Sequence, residues 1–170
     1  VVKTLRRICL QQPDSDAIVE ICGKLVSRLT DEKPIRSLVL KTFRELWFTD
    51  LTAPVVRRDG TRVRGETDAR LAARVSQILA VIRHDSTNGQ WFVDMVRELL
   101  KEEEESEAAP VLQEAAADMV EHIIDRVISL EEQGEAAGGA HTSGLAEAIA
   151  LLSLFSRVRP SLLAGHGVTL

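Results

Sequence analysis

The residues best suited to chemistry in this 170-residue sequence are cations. Lys33, Lys41 and Arg44 fall within one narrow arc of a helix opposite its apolar face, with Ser37 between them. Arg70 and Arg74 are four apart and so share a face of a later helix. Arg57, Arg58, Arg62 and Arg64 occupy the stretch between the two. Together these side chains can form one basic ridge. Such a ridge suits contact with phosphates, which is salt-sensitive and indifferent to base sequence. No aromatic residues are interleaved, so stacking on single-stranded bases is not expected. The alternative is a set of ordinary solvated residues, some paired with Asp59, Glu66 or Asp68.

Other chemistry finds little footing. His84, His122, His141 and His166 are scattered. Asp118 and His122 are four apart and could share a metal, but no third ligand is evident, and a surface hydrogen-bonded pair is the simpler reading. There is neither a phosphate-cradling glycine loop nor an HExxH pair. Cys9 and Cys22 sit among apolar residues at helical spacing and read as buried, reduced thiols of an intracellular protein. Trp47 and Trp91 lie in amphipathic runs and read as core. The acidic run Glu102 to Glu105 reads as a solvated helix end that frays, because negative charge is unfavourable at a helix C-terminus. The expectation is a protein that holds macromolecules, with no catalysis of its own, no cofactor and no metal.

The elements that must position these residues are helices. Apolar residues make up 45% of the chain while aromatics are 4% and Tyr is absent, a bias away from sheet. Apolar spacing of three and four predicts helices over about 2–11, from Asp14 or Ser15 to Leu29, from Pro34 to Phe48, over 66–83, from an Asn88 cap to the acidic run, from Pro110 to about Ile128, and from a Ser143 cap to Arg157. Pro160 opens an eighth. Residues 49–65 and 131–142 read as irregular connectors within a single 1–170 segment, the second because Gly134, Gly138 and Gly139 sit in polar, alanine-rich surroundings. No run approaches the ~20 apolar residues of a membrane span. Val1 in place of Met, and the apolar stretch before Leu170, suggest a piece of something longer. Charge is asymmetric: 16 Lys/Arg against 10 Asp/Glu as far as Arg83, then 5 against 16. Two unlike partner surfaces are the implication.

Between Leu25 and Leu46 a helix end, Asp31, a short gap and Ile35-Arg36 follow one another, which resembles the HEAT pattern. There the Asp caps the second helix and the Arg reaches the turn of a neighbouring repeat, so Asp31 and Arg36 are assigned structural roles. HEAT repeats run about 40–47 residues, and about four would fit. The expected fold is therefore an all-α, HEAT-type α-α superhelix of antiparallel helix pairs.

Several blocks carry a more specific likeness. Arg7-Ile8-Cys9-Leu10-Gln11-Gln12-Pro13, Ile21-Cys22, Arg28-Leu29-Thr30-Asp31-Glu32, and Thr42-Phe43 with Leu46-Trp47-Phe48-Thr49 resemble the cohesin loader family of Nipped-B. Trp91-Phe92, Leu99-Leu100-Lys101, Val120-Glu121-His122-Ile123 and Leu154-Phe155-Ser156-Arg157-Val158-Arg159-Pro160 continue it in order, while 49–65 and 131–142 stand apart. The resemblance implies a hook-shaped HEAT solenoid that loads the cohesin ring onto chromatin in the nucleus. It implies contacts with duplex DNA, the kleisin and the ATPase heads, whose ATPase it stimulates. It also implies a helper subunit bound elsewhere in the full loader.

Overall fold

A computed structural model describes residues 1–13, 17–49, 51, 64–85, 87–106, 109–133 and 139–164, giving the backbone path alone at 64–67, 133 and 139–142. Among these residues there are seven α-helices and no strand: α1 (Val2–Gln11), α2 (Ile18–Val26), α3 (Lys33–Phe43), α4 (Arg64–Arg83), α5 (Gln90–Glu105), α6 (Val111–Gln133) and α7 (Gly139–Val158). A π-helical turn, Arg44–Phe48, continues α3, and a short 3-10 turn, Pro160–Leu162, follows α7. Each helix packs on its sequence neighbour or on the helix two places along. α1 lies against α3 and α5 against α7, while α2 lies against α4 and α4 against α6. Odd helices thus form one layer and even helices the other, the all-α, HEAT-like solenoid expected.

Local chemistry explains the breaks. Pro13 follows α1, and Pro34 sits in the first turn of α3, where its missing N–H costs nothing. Asp31 does not cap α3: its carboxylate reaches back to Arg28 at 3.5 Å, and Glu32 holds the cap position without a side-chain bond. Likewise α5 begins after Gly89 rather than on an Asn88 side-chain cap, with Asn88 and Gly89 at φ 49° and 76°. Other boundaries move: α2 ends at Val26 rather than Leu29. α4 starts at Arg64, inside the stretch read as a loop. α6 runs through Gln133 and α7 starts at Gly139, so Ser143 lies within a helix and 134–138 fall outside the described residues.

The core takes in the place where α3 gives way to the π turn. Widening the helix there turns Leu46, Trp47 and Phe48 inward together, three consecutive buried residues that a regular 3.6-residue turn would splay apart. The Thr49 hydroxyl closes the turn on the Arg44 carbonyl at 3.2 Å. From it a row of rings crosses the odd layer. Phe43 stacks on Trp47 at 4.5 Å, Trp91 lies 6.1 Å from both, and Phe92 meets Phe155 of α7 edge to face at 5.4 Å. Cys9 and Cys22 are buried and free, and hydrogen-bond to each other across α1 and α2; that bond and burial push the Cys22 thiol far above its usual range.

Glu103, read as part of a fraying end, is 4% exposed and held on both sides. Its Oε1 accepts from Arg44 Nη2 at 2.9 Å and from Leu112 N at 2.9 Å, and its Oε2 accepts from Gln113 N at 3.2 Å. One carboxylate from α5 therefore caps the N-terminus of α6, where negative charge is favoured, and the guanidinium balances it.

Two measurements follow from this packing. In Gly23 a helical glycine faces open space, whereas a Cβ on Gly89 would lie 2.7 Å from Leu154 Cδ1 at a left-handed φ. Gly23→Ala is expected to raise unfolding stability by about 0.5–1 kcal/mol, and Gly89→Ala to lower it by about 1 kcal/mol or more, in urea titrations. Glu103→Ala is expected to cost about 3 kcal/mol in the same assay, since it strands Arg44 and uncaps α6; a cost below about 0.5 kcal/mol would refute the capping role.

Candidate functional site

The cations sort into two groups by what they touch. Most arginines are spent between helices. Arg6 on α1 grips both oxygens of Glu45 at 2.8 Å and reaches Thr42 at 3.5 Å. Arg36 on α3 pairs with Glu98, which lies within α5 rather than in a turn. Arg44 turns toward Glu103, so this guanidinium faces the α5–α6 junction. Arg83 pairs with Glu147 of α7, Arg159 pairs with Glu104 of α5, and Arg97 donates to the carbonyls of Arg157 and Val158. A planar guanidinium with several donors suits this bridging better than an ammonium does.

Lysines on the outer face of the odd layer are placed differently. Lys33 and Lys41 are exposed on α3, two helical turns apart, and make no ion pair with a described residue. Lys3 and Arg7 on the neighbouring α1 are also exposed and likewise make none. Arg6, between α1 and α3, neutralises Glu45, the acidic residue of that seam. Sequence reasoning missed Lys3 and Arg7, although their spacing of four on a short amphipathic helix is the same signal that singles out Arg70 and Arg74.

Arg70 and Arg74 are half-buried on α4, in the even layer. They line a cleft of about 560 Å³ with Leu10, Leu46, Thr49 and Leu51, beside the end of α3. Arg74 donates to Gln77 at 3.2 Å, and Gln77 donates to the Pro13 carbonyl at 2.6 Å, which ties the α1–α2 turn to α4. Arg57, Arg58 and Arg62 lie outside the described residues, and of Arg64 only the backbone, opening α4, is described.

Asp118 and His122 occupy one face of α6. Burial raises the Asp118 carboxyl above the usual range, and the charges of Glu121 and Glu114 add to that. Burial lowers the His122 imidazole, against the pull of Asp68. Among the described residues no three His, Cys, Asp or Glu are grouped to hold a metal ion, and no helix is long and apolar enough to cross a membrane.

Comparison with known proteins places this geometry in context. The Nipped-B-like proteins of Mus musculus and Homo sapiens are each 33% identical to this chain over 172 residues, which is all of this chain and 6% of theirs. The Nipped-B protein of Drosophila melanogaster is 29% identical over 189 residues, again covering the whole chain and 8% of the relative. The chain thus spans less than a tenth of the length of the relatives it matches. No family model matches it.

Asp118 also yields a measurable pH effect. Its folded pKa lies above its unfolded value, so folding disfavours the ionised form, and the penalty is present above the folded pKa and vanishes as pH falls below the unfolded one. Asp118→Asn is therefore expected to raise the melting temperature at pH 7 and to leave it unchanged near pH 3. An equal shift at both pH values would show that ionisation of the buried carboxyl is not the cause.

Proposed function

This chain belongs to the Nipped-B family, and from that premise we propose that it is a scaffold segment of a cohesin loader, promoting loading of the cohesin ring onto chromatin in the nucleus. The observation that carries this reading is a family likeness running the full length of the chain through an all-helical stack. A stack of this kind presents long, rigid faces to partners and needs no catalytic centre. The partners are the cohesin subunits, the kleisin and the ATPase heads among them, together with duplex DNA.

Within that reading, DNA contact falls to the cations left without internal partners. Lys33 and Lys41, eight residues apart, are separated by about 12 Å along α3. That span is about the width of the major groove of B-DNA, so the two ammonium groups can sit on the phosphates of its two walls. Lys3 and Arg7 on α1 extend the same face. Arg70 and Arg74, which also have contacts within the protein, and the arginines at 57, 58, 62 and 64 complete the candidate set. A second reading is favoured by one specific observation: Arg36 and Arg44 are engaged inside the protein. In that reading the segment is purely architectural or protein-binding, and other parts of the loader hold DNA.

Binding of the chain to a short duplex across a salt series separates the two. The first reading expects a steep negative slope of log affinity against log salt. Changing Lys3, Arg7, Lys33 and Lys41 to Glu is expected to flatten that slope by about 0.9 for each phosphate no longer neutralised, with the helical signal intact. A companion variant carrying Glu at 57, 58, 62 and 64 reports on the other half of the basic region. If the parent chain shows no salt-dependent binding, the architectural reading stands and the search moves to cohesin subunits.

A further inference from the structure

The odd layer is not uniformly closed. α1 packs along α3, and α5 packs along α7, but α3 and α5 meet mainly through long side chains. Where they part, toward the N-terminal half of α3, a groove of about 560 Å³ opens between the α2–α3 turn and α5. Leu29 and Trp91 line it as half-buried residues, with Leu40 and Met95 of the core alongside. Its polar rim has three charges: Arg36, Asp94 and Glu98. Arg36 is already committed to Glu98. Asp94 accepts one neutral hydrogen bond from Gln90, at 2.8 Å, and makes no ion pair with a described residue. The groove is therefore an apolar slot with one uncompensated carboxylate at its mouth. None of Lys33, Lys41, Arg70 or Arg74 lines it.

We propose that this α3–α5 groove is a docking site for a short protein segment that presents an apolar side chain next to a Lys or Arg. The slot has room for one or two side chains, which is the scale of a linear-motif anchor. The apolar anchor would be desolvated against Leu29 and Trp91, and the adjacent cation would pair with Asp94 at the rim. A negatively charged partner meets the opposite of what it needs, because its charge would face Asp94. Duplex DNA is disfavoured for the same reason. Burying a cation-bearing segment here completes a charge that the fold leaves open, while the Arg36–Glu98 pair keeps the two walls at fixed separation. The site does not depend on phosphate contact by the outer face of α1 and α3.

The test uses fluorescein-labelled nonapeptides with Gly/Ser flanks, in which a central Leu or Phe is followed by Arg. Two control sets replace that Arg by Glu, or the apolar residue by Ala. Anisotropy is read against the unmodified chain, against Asp94→Lys and Thr30→Trp at the rim, and against Lys101→Ala, which lies on α5 away from the groove. Circular dichroism and melting temperature establish that each variant is folded. The expected result is binding of the Leu-Arg and Phe-Arg peptides that weakens at least ten-fold with either rim substitution and with either control peptide, and is unchanged by Lys101→Ala. Equal binding of the Arg and Glu peptides, insensitivity to Asp94→Lys, displacement of the peptide by a 20-base-pair duplex, or dissociation constants above about 1 mM throughout would each overturn the proposal.

Discussion

The seam between α3 and α5 is the constraint on which the rest of this molecule depends. Elsewhere neighbouring helices of a layer lie close along their backbones. At this seam they are held by a short stack of rings and by two ion pairs, Arg36 with Glu98 and Arg44 with Glu103. The π turn at the end of α3 makes the stack possible, since it brings Trp47 inward beside Phe43 without turning Leu46 and Phe48 out. Because Glu103 also caps α6, the same seam sets where the second half of the chain begins its even layer. A stacked array transmits order from one repeat to the next, so a weak joint here would let the two halves move independently.

The division of labour between arginine and lysine follows from that architecture. A guanidinium can satisfy two acceptors in one plane and is less strongly hydrated than an ammonium, so it tolerates half-buried positions between helices. Arg6, Arg36, Arg44, Arg83, Arg97 and Arg159 all join distant parts of the chain. Lys33 and Lys41 remain on the outside, with strongly hydrated heads on flexible stems. Such groups lose little by exchanging water and counterions for phosphate. The excess of positive charge in the first half of the sequence is therefore divided between stitching and surface, and only the surface share is available to a partner.

Exposed ion pairs contribute modestly, and the intrahelical pairs Glu20–Lys24 and Lys101–Glu105 belong to that class. Arg44–Glu103 differs because one partner is 4% exposed. A buried carboxylate tolerates that environment only when its lone pairs are taken up, and two backbone N–H groups and a guanidinium do so here. The acidic run that holds it looks uniform in sequence, but Glu103 is buried, Glu104 pairs with Arg159 from an exposed position, and Glu102 and Glu105 are exposed.

The amino-acid sequence by itself determined the helices and the layer they build, since apolar spacing and the positions of Pro13, Pro34 and Pro110 are local signals that the chain obeys locally. It also marked Trp47 as core and Cys9 and Cys22 as buried thiols, whereas Trp91, read as core, is half-buried and lines the α3–α5 groove. Only the tertiary structure decided which charges are free. Arg44 and Lys41 lie on the same arc of one helix, yet an acidic residue 59 positions away captures the first and leaves the second in solvent. The roles of Glu103 and Asp94 were equally invisible, because a carboxylate's partner is fixed by which helix end or groove is folded beside it. Periodicity records which face turns inward, whereas electrostatic pairing depends on neighbours that the chain brings together only when it folds.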